Sequence, residues 1–209
     1  MLVKKNHINI RVSKFLFIII FLFLDSFTIA QSKANLEVFF GLVDSSVVKI
    51  NNTISSPVKE VKINFNSGNY FSVFQDQVLY DFVKLGRTVV PDSPTSSGVI
   101  EVNYTLERAV VEYGDMERDG FFGGFYLPRK VKVEGSYSVK NNIVTPGNFN
   151  FTYRDTVAVD DIKILENPSF TFTQGDVPPE PFLSNLFEPV VAIGSAAIAV
   201  ILFFTIRSK

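Results

Sequence analysis

From Leu36 onward the apolar positions of this chain change period twice, and the changes mark its elements. Leu36, Phe39, Phe40, Val43, Val47 and Ile50 recur at three- and four-residue steps, which places them on one face of a helix. Glu37, Asp44, Ser45 and Lys49 fall on the other face, and Asn51-Asn52 ends the element. After Pro57 the period becomes two. Val61, Ile63 and Phe65 alternate with Glu60, Lys62 and Asn64, the pattern of a half-buried strand. Asn66-Ser67-Gly68-Asn69 reads as a turn with Asn69 as N-cap of a second amphipathic helix. That helix carries Phe71, Phe74, Val78, Phe82 and Leu85 and stops at Gly86. Arg87 to Val90 is a short strand, and 91–98 is a loop by its Pro, Ser and Gly content.

Beyond that loop the pattern is strand only. Ile100, Val102, Tyr104 and Leu106 alternate with polar neighbours, and the phase then slips near Arg108 so that Ala109, Val111 and Tyr113 carry it on. A one-residue slip in a long strand predicts a bulge. Val131, Val133, Tyr137 and Val139 form the next strand, with Gly135 interrupting its apolar face at a bulge or a close approach. Phe149, Phe151, Tyr153, Val157 and Val159 form the last. Short polar connections favour antiparallel pairing. The expected fold class is α+β: two amphipathic helices packed on a mixed, mostly antiparallel sheet, followed by a C-terminal transmembrane helix. Phe170 and Phe172 then lead into a Pro-rich spacer, 173–188.

The expected transmembrane helix is the uncharged run 189–206, flanked by Glu188 and Arg207-Ser208-Lys209. Eighteen residues of helix rise about 27 Å. At the other end Lys4, Lys5, Arg11 and Lys14 precede a short apolar core, Phe15 to Leu24, with small residues at Thr28 and Ala30. That order reads as a signal peptide, 1–30, cleaved before Gln31. The alternative is an uncleaved first membrane helix, against which stand Asp25 and the shortness of the run. Basic residues at both ends keep those ends cytoplasmic, so the domain at 31–172 faces the periplasm or the outside. The expected localisation is a single pass through a bacterial cell membrane, with 207–209 as a cytoplasmic basic tail.

Composition narrows the chemistry. There is no cysteine, which excludes disulfides, a lipobox-type lipid anchor, thiolate metal sites and thiol nucleophiles, and favours a bacterial envelope protein. The stretch 31–188 holds 14 Lys and Arg against 20 Asp and Glu, a net charge of −6, so nucleic acid is not an expected partner. The single histidine is His7, inside the signal peptide, so histidine catalysis and nearly all zinc sites are excluded from the mature chain. No phosphate-binding glycine loop is present, no cofactor or metal is implied, and no small-molecule ligand is inferred.

The layout from Leu36 to about Val139 resembles the small α/β domain of bacterial envelope-assembly proteins. It runs helix, strand, amphipathic helix ending in Gly86, short strand and then longer strands. The amino-terminal domain of the Tol translocation protein and the flagellar-assembly and curli-secretion-like families share this order. The resemblance implies a domain that binds or positions an envelope protein partner.

Two features remain as candidate chemistry. Glu101, Glu107, Glu112, Asp115, Glu117, Asp119, Asp160 and Asp161 are the acids from which a carboxylate-dependent hydrolase of envelope glycans would be built, although a solvated sheet face also accounts for them. The stretch 114–126 joins two strong strands and combines charges, glycines and the aromatics Phe121, Phe122, Phe125 and Tyr126. These rings either fold over the sheet or form an exposed tip that docks a partner. The function expected from the whole is non-enzymatic: a membrane-tethered envelope protein that binds or positions a partner during assembly or transport.

Overall fold

A computed structural model of the protein describes residues 32–54, 58–91, 98–120, 123–181 and 184–207. The chain divides into two compact units, Met1–Ser32 and Lys33–Lys209. The signal peptide expected at 1–30 lies outside the described residues, and every described helix and strand belongs to the second unit.

Helix α1 spans Asn35–Thr53 and buries Val38, Phe39, Val43, Val47 and Ile50, close to the stripe read from the sequence. Strand β1 is Glu60–Ser67. A 3-10 turn at Asn69–Phe71 leads into α2, Val73–Lys84, whose buried face is Phe74, Val78, Asp81 and Phe82. Asn69 therefore opens the 3-10 turn and is not the helix N-cap; Ser72 stands there, without a side-chain capping bond. The C-terminus is as expected. Gly86 takes a φ of 83°; its N–H donates to Val83 O at 2.9 Å and that of Arg87 to Phe82 O at 3.0 Å. This pair of bonds is a Schellman cap, and the positive φ is why glycine is needed there.

Strands β2 (Thr88–Val89), β3 (Ile100–Tyr113), β4 (Glu117–Arg118), β5 (Phe125–Lys140) and β6 (Val144–Ala158) complete a six-stranded sheet. β1 runs parallel to β2 and β3, because α2 carries the chain back between β1 and β2. β3, β5 and β6 are antiparallel. The register slips between Leu106 and Arg108, and this bulge returns Ala109 and Val111 to the buried face.

One face of this sheet carries the helices. Val61, Ile100, Val102, Tyr104, Val131, Val133 and Phe149 meet Phe39, Val43, Val47, Phe74, Val78 and Phe82 in a single core. The chain closes that core from its far side. After β6 comes α3 (Ile162–Leu165), which with Leu127 and Val157 makes a second, smaller cluster. A 3-10 turn at Thr171–Thr173 then inserts Phe172 among Phe39, Phe74 and Phe71, with ring centroids 5.3, 5.3 and 5.5 Å away. Phe172 belongs to the core, where the sequence pattern had it leading into the spacer. Residues 174–181 carry neither helix nor strand.

Three expectations need correction. Among the described residues there are four α-helices, one more than the two amphipathic helices and C-terminal helix of the pattern, the addition being α3; α4, Ser184–Arg207, contains the run expected to be helical at 189–206. α4 begins inside the stretch assigned to the spacer. And among the described residues no helix is long and apolar enough to cross a membrane. Pro189 lies within α4 and removes one backbone donor from its hydrogen-bond ladder. The C-terminal transmembrane span is therefore withdrawn, and with it the single-pass placement in a bacterial cell membrane. Ser208 and Lys209 of the expected tail lie outside the described residues.

Candidate functional site

Residues 114–120 and 123–126 lie at one end of the sheet, where β4 pairs with the start of β5. β3 ends where the Gly114 N–H donates to Pro128 O at 2.8 Å. Met116 turns into the smaller cluster. Glu117 and Arg118 then pair with Tyr126 and Phe125 as β4 against the start of β5. The Asp119 N–H donates to Gly124 O at 3.0 Å, and Gly120 follows with a φ of 64°.

Of the four aromatics predicted to act here, Phe121 and Phe122 lie outside the described residues. Phe125 and Tyr126 are the first residues of a strand and not loop residues, so their side chains leave it on opposite faces. Both are half-buried, and neither belongs to the two core clusters. Arg118 lies over the Phe125 ring, its guanidinium carbon 5.3 Å from the centroid, and its Nε donates to Gly123 O at 3.1 Å. The aromatic face thus carries a delocalised cation that is already oriented by the backbone. Glu117, Arg118, Asp119 and Tyr126 border a shallow depression of about 320 Å³.

The β4–β5 pair stands on a rigid base. Arg129, three residues into β5 from Tyr126, is fully buried. Its Nε and Nη2 donate to the two carboxylate oxygens of Asp155 at 2.8 and 2.5 Å. Its Nη1 donates to Asn35 Oδ1 at 2.6 Å and Lys33 O at 2.8 Å, so the start of α1 is tied to β5. Asn35 Nδ2 in turn donates to Thr173 O at 2.7 Å and to the Tyr113 hydroxyl at 3.3 Å. Burial pushes that hydroxyl up to about 12, so it remains a neutral phenol. One network therefore joins α1, β3, β5, β6 and the closing turn directly behind the tip. Sequence reasoning missed it, although a signal existed. Arg129 continues the inward series of Val131 and Val133, and Asp155 that of Phe151 and Tyr153.

Three of the eight acids named as hydrolase candidates are committed to partners on the sheet. On the open face of the sheet Glu101 accepts from Asn64 at 2.7 Å and pairs with Lys140 at 3.6 Å. Glu107 accepts from Ser136 at 2.6 Å, and Glu112 from Lys130 at 2.8 Å. The Lys130 hydrogen bond holds the Glu112 carboxyl below its ordinary value. Asp115, Glu117 and Asp119 lie along the tip, while Asp160 and Asp161 form the 3-10 turn after β6. At the opposite end of the sheet a groove of about 480 Å³ is bordered by Glu60, Lys62, Glu101, Lys140 and Asn142. Its balanced charges give it no preference for an anion or a cation. Among the described residues no group of three or more His, Asp or Glu could hold a metal ion.

No family model matches the chain, and no curated protein matches it. Two of the solved structures similar to it are these. One is rare lipoprotein B from Shewanella oneidensis, at 8% identity and a TM-score of 0.28, covering 66% of this chain and 86% of that one. The other is a neuraminyllactose-binding hemagglutinin homolog from Helicobacter pylori, at 8% identity and a TM-score of 0.29, covering 50% of this chain and 67% of that one. Both are bacterial proteins, and the first is a lipoprotein. At these scores the likeness carries no argument, and neither match is to the Tol, flagellar-assembly or curli-secretion families.

Proposed function

We propose that the protein is a non-enzymatic component of the bacterial envelope that binds or positions a protein partner during envelope assembly or transport. The partner docks at the tip formed by β4 and the start of β5. The observation that carries this reading is the placement of Phe125 and Tyr126 outside both cores and half-exposed, with an oriented Arg118 over the Phe125 ring and Tyr126 bordering a depression with Glu117, Arg118 and Asp119. Aromatic rings and arginine dominate recognition energetics, and a rigid base reduces the ordering cost of presenting them. Burying each ring in a partner contributes about 1.5–3 kcal/mol. Phe121 and Phe122 are close neighbours of this pair in the sequence.

In this reading residues 1–30 are the export signal of the domain 31–172, so amino-terminal sequencing of the mature chain begins at or near Gln31. No observation favours the carboxylate hydrolase, since Glu101, Glu107 and Glu112 already serve as acceptors on the sheet face. The test is co-purification with mass spectrometry on the wild type and on a Phe125→Ser, Tyr126→Ser double variant. Loss of a specific partner from a folded variant supports the tip. Retention of every partner by the folded variant overturns it.

A further inference from the structure

The buried face of α2 repeats apolar residues at helical spacing, Phe74, Val78 and Phe82, and inserts one acid among them, Asp81. That carboxylate is 1% exposed. One oxygen accepts from Gln77 Nε2 at 2.9 Å. The other, Oδ2, has no hydrogen-bond partner in the protein, the only buried side-chain oxygen or nitrogen so placed among the described residues. An ionised carboxylate in that position keeps its charge in an apolar setting with half of its acceptor capacity unused, whereas a neutral carboxyl group does not.

We propose that Asp81 is a proton-operated device in the helical layer: neutral, it lets α2 seat against α1 and the sheet; ionised, it loosens that seat. The groups around it agree. From α1 comes Asp44, a like charge that resists ionisation, and from its own helix Lys84, which opposes this weakly. From β3 comes Tyr104, whose hydroxyl is pushed above its ordinary value by burial first and by the Asp81 charge in addition. Tyr104 cannot relieve Asp81, because it is spent on Ser46. The Ser46 hydroxyl gives its only proton to Val43 O at 2.6 Å, so the 2.8 Å contact between the two hydroxyls is donated by Tyr104. β2, also packed on α2, brings only Thr88 and Val89, and the preceding 3-10 turn brings Tyr70, which is exposed.

The pH dependence has a definite sign. Burial raises the Asp81 carboxyl above its ordinary 3.8 in the folded chain. Between the unfolded and folded values the native state binds more protons than the unfolded one, so stability falls as pH rises through that window. Above the folded value the full cost of the charge is present, and below the unfolded value it is absent.

Thermal melts of the full chain from about pH 4 to about pH 8, on wild type and Asp81→Asn, read this directly. The variant is expected to melt higher than wild type at neutral pH, with the difference vanishing toward acid. A variant melting no higher at neutral pH, with an unchanged pH slope, overturns the proposal. An NMR titration of the Asp81 side-chain carbon in the wild type gives a second reading that needs no folded variant. A midpoint above the ordinary carboxylate value supports the proposal, and one at or below it overturns it.

Discussion

Arg129 and Asp155 meet across β5 and β6 as a two-pronged ion pair, and the arginine partner is wholly buried while the aspartate side chain is 19% exposed. Every arm of the guanidinium is used, which makes the pair an anchor for the start of α1 as well as for the two strands. Removing one partner leaves a buried, uncompensated charge. Asp155→Ala is therefore expected to cost about 3–5 kcal/mol, read by urea denaturation, while replacing both residues by apolar side chains of similar volume costs less than either single change. A near-neutral Asp155→Ala would mean that water reaches Arg129.

Phe172 ties the closing segment to the helical core, so its loss should be felt far from its place in the sequence. Phe172→Ala is expected to destabilise by about 3–5 kcal/mol, the range for a buried phenylalanine truncated to a cavity. A change under about 1 kcal/mol would show that the 159–173 segment is an accessory and not part of the cooperative unit.

Two glycines give opposite outcomes for the same substitution. At Gly135 an added Cβ would stand 2.2 Å from Thr105 O and 2.4 Å from the Phe149 ring. The carbonyl belongs to the neighbouring strand and cannot yield, so Gly135→Ala should cost about 1–3 kcal/mol or more. Gly41 lies within α1, exposed, with nothing within 4 Å of the same position. Gly41→Ala should stabilise by about 0.5–1 kcal/mol. Paired thermal melts check both signs.

The strands and the first two helices were legible because their periods are regular and one-sided. The slip at Arg108, the cap at Gly86 and the tight site at Gly135 each announce themselves by breaking a period. What escaped was written in single residues within otherwise apolar series. Arg129, Asp155 and Asp81 occupy inward positions, but a pattern scored as apolar or polar treats them as noise. Phe172 escaped for a different reason: its partners are about 100 and more residues upstream, and no local period records a long-range contact. The apolar run near the C-terminus shows the converse: it is helical as its composition suggests, yet composition alone did not establish a span.

The tip itself was legible as a composition and not as a geometry. Glycine and aromatic content marked 114–126, but the pairing of Glu117 and Arg118 with Tyr126 and Phe125 needs the register of β5. That register is set by Ala109, Val111 and Tyr113 facing Val133, Val131 and Arg129, well outside the tip.

Site-specific photo-crosslinking in cells tests the docking account most directly. A photoreactive residue at Tyr126 is compared with one at Tyr80, which is 62% exposed on α2. The account predicts a discrete adduct with one envelope protein from position 126 and none from position 80. Equal labelling from both positions, or no adduct from 126 while 80 gives one, would contradict it.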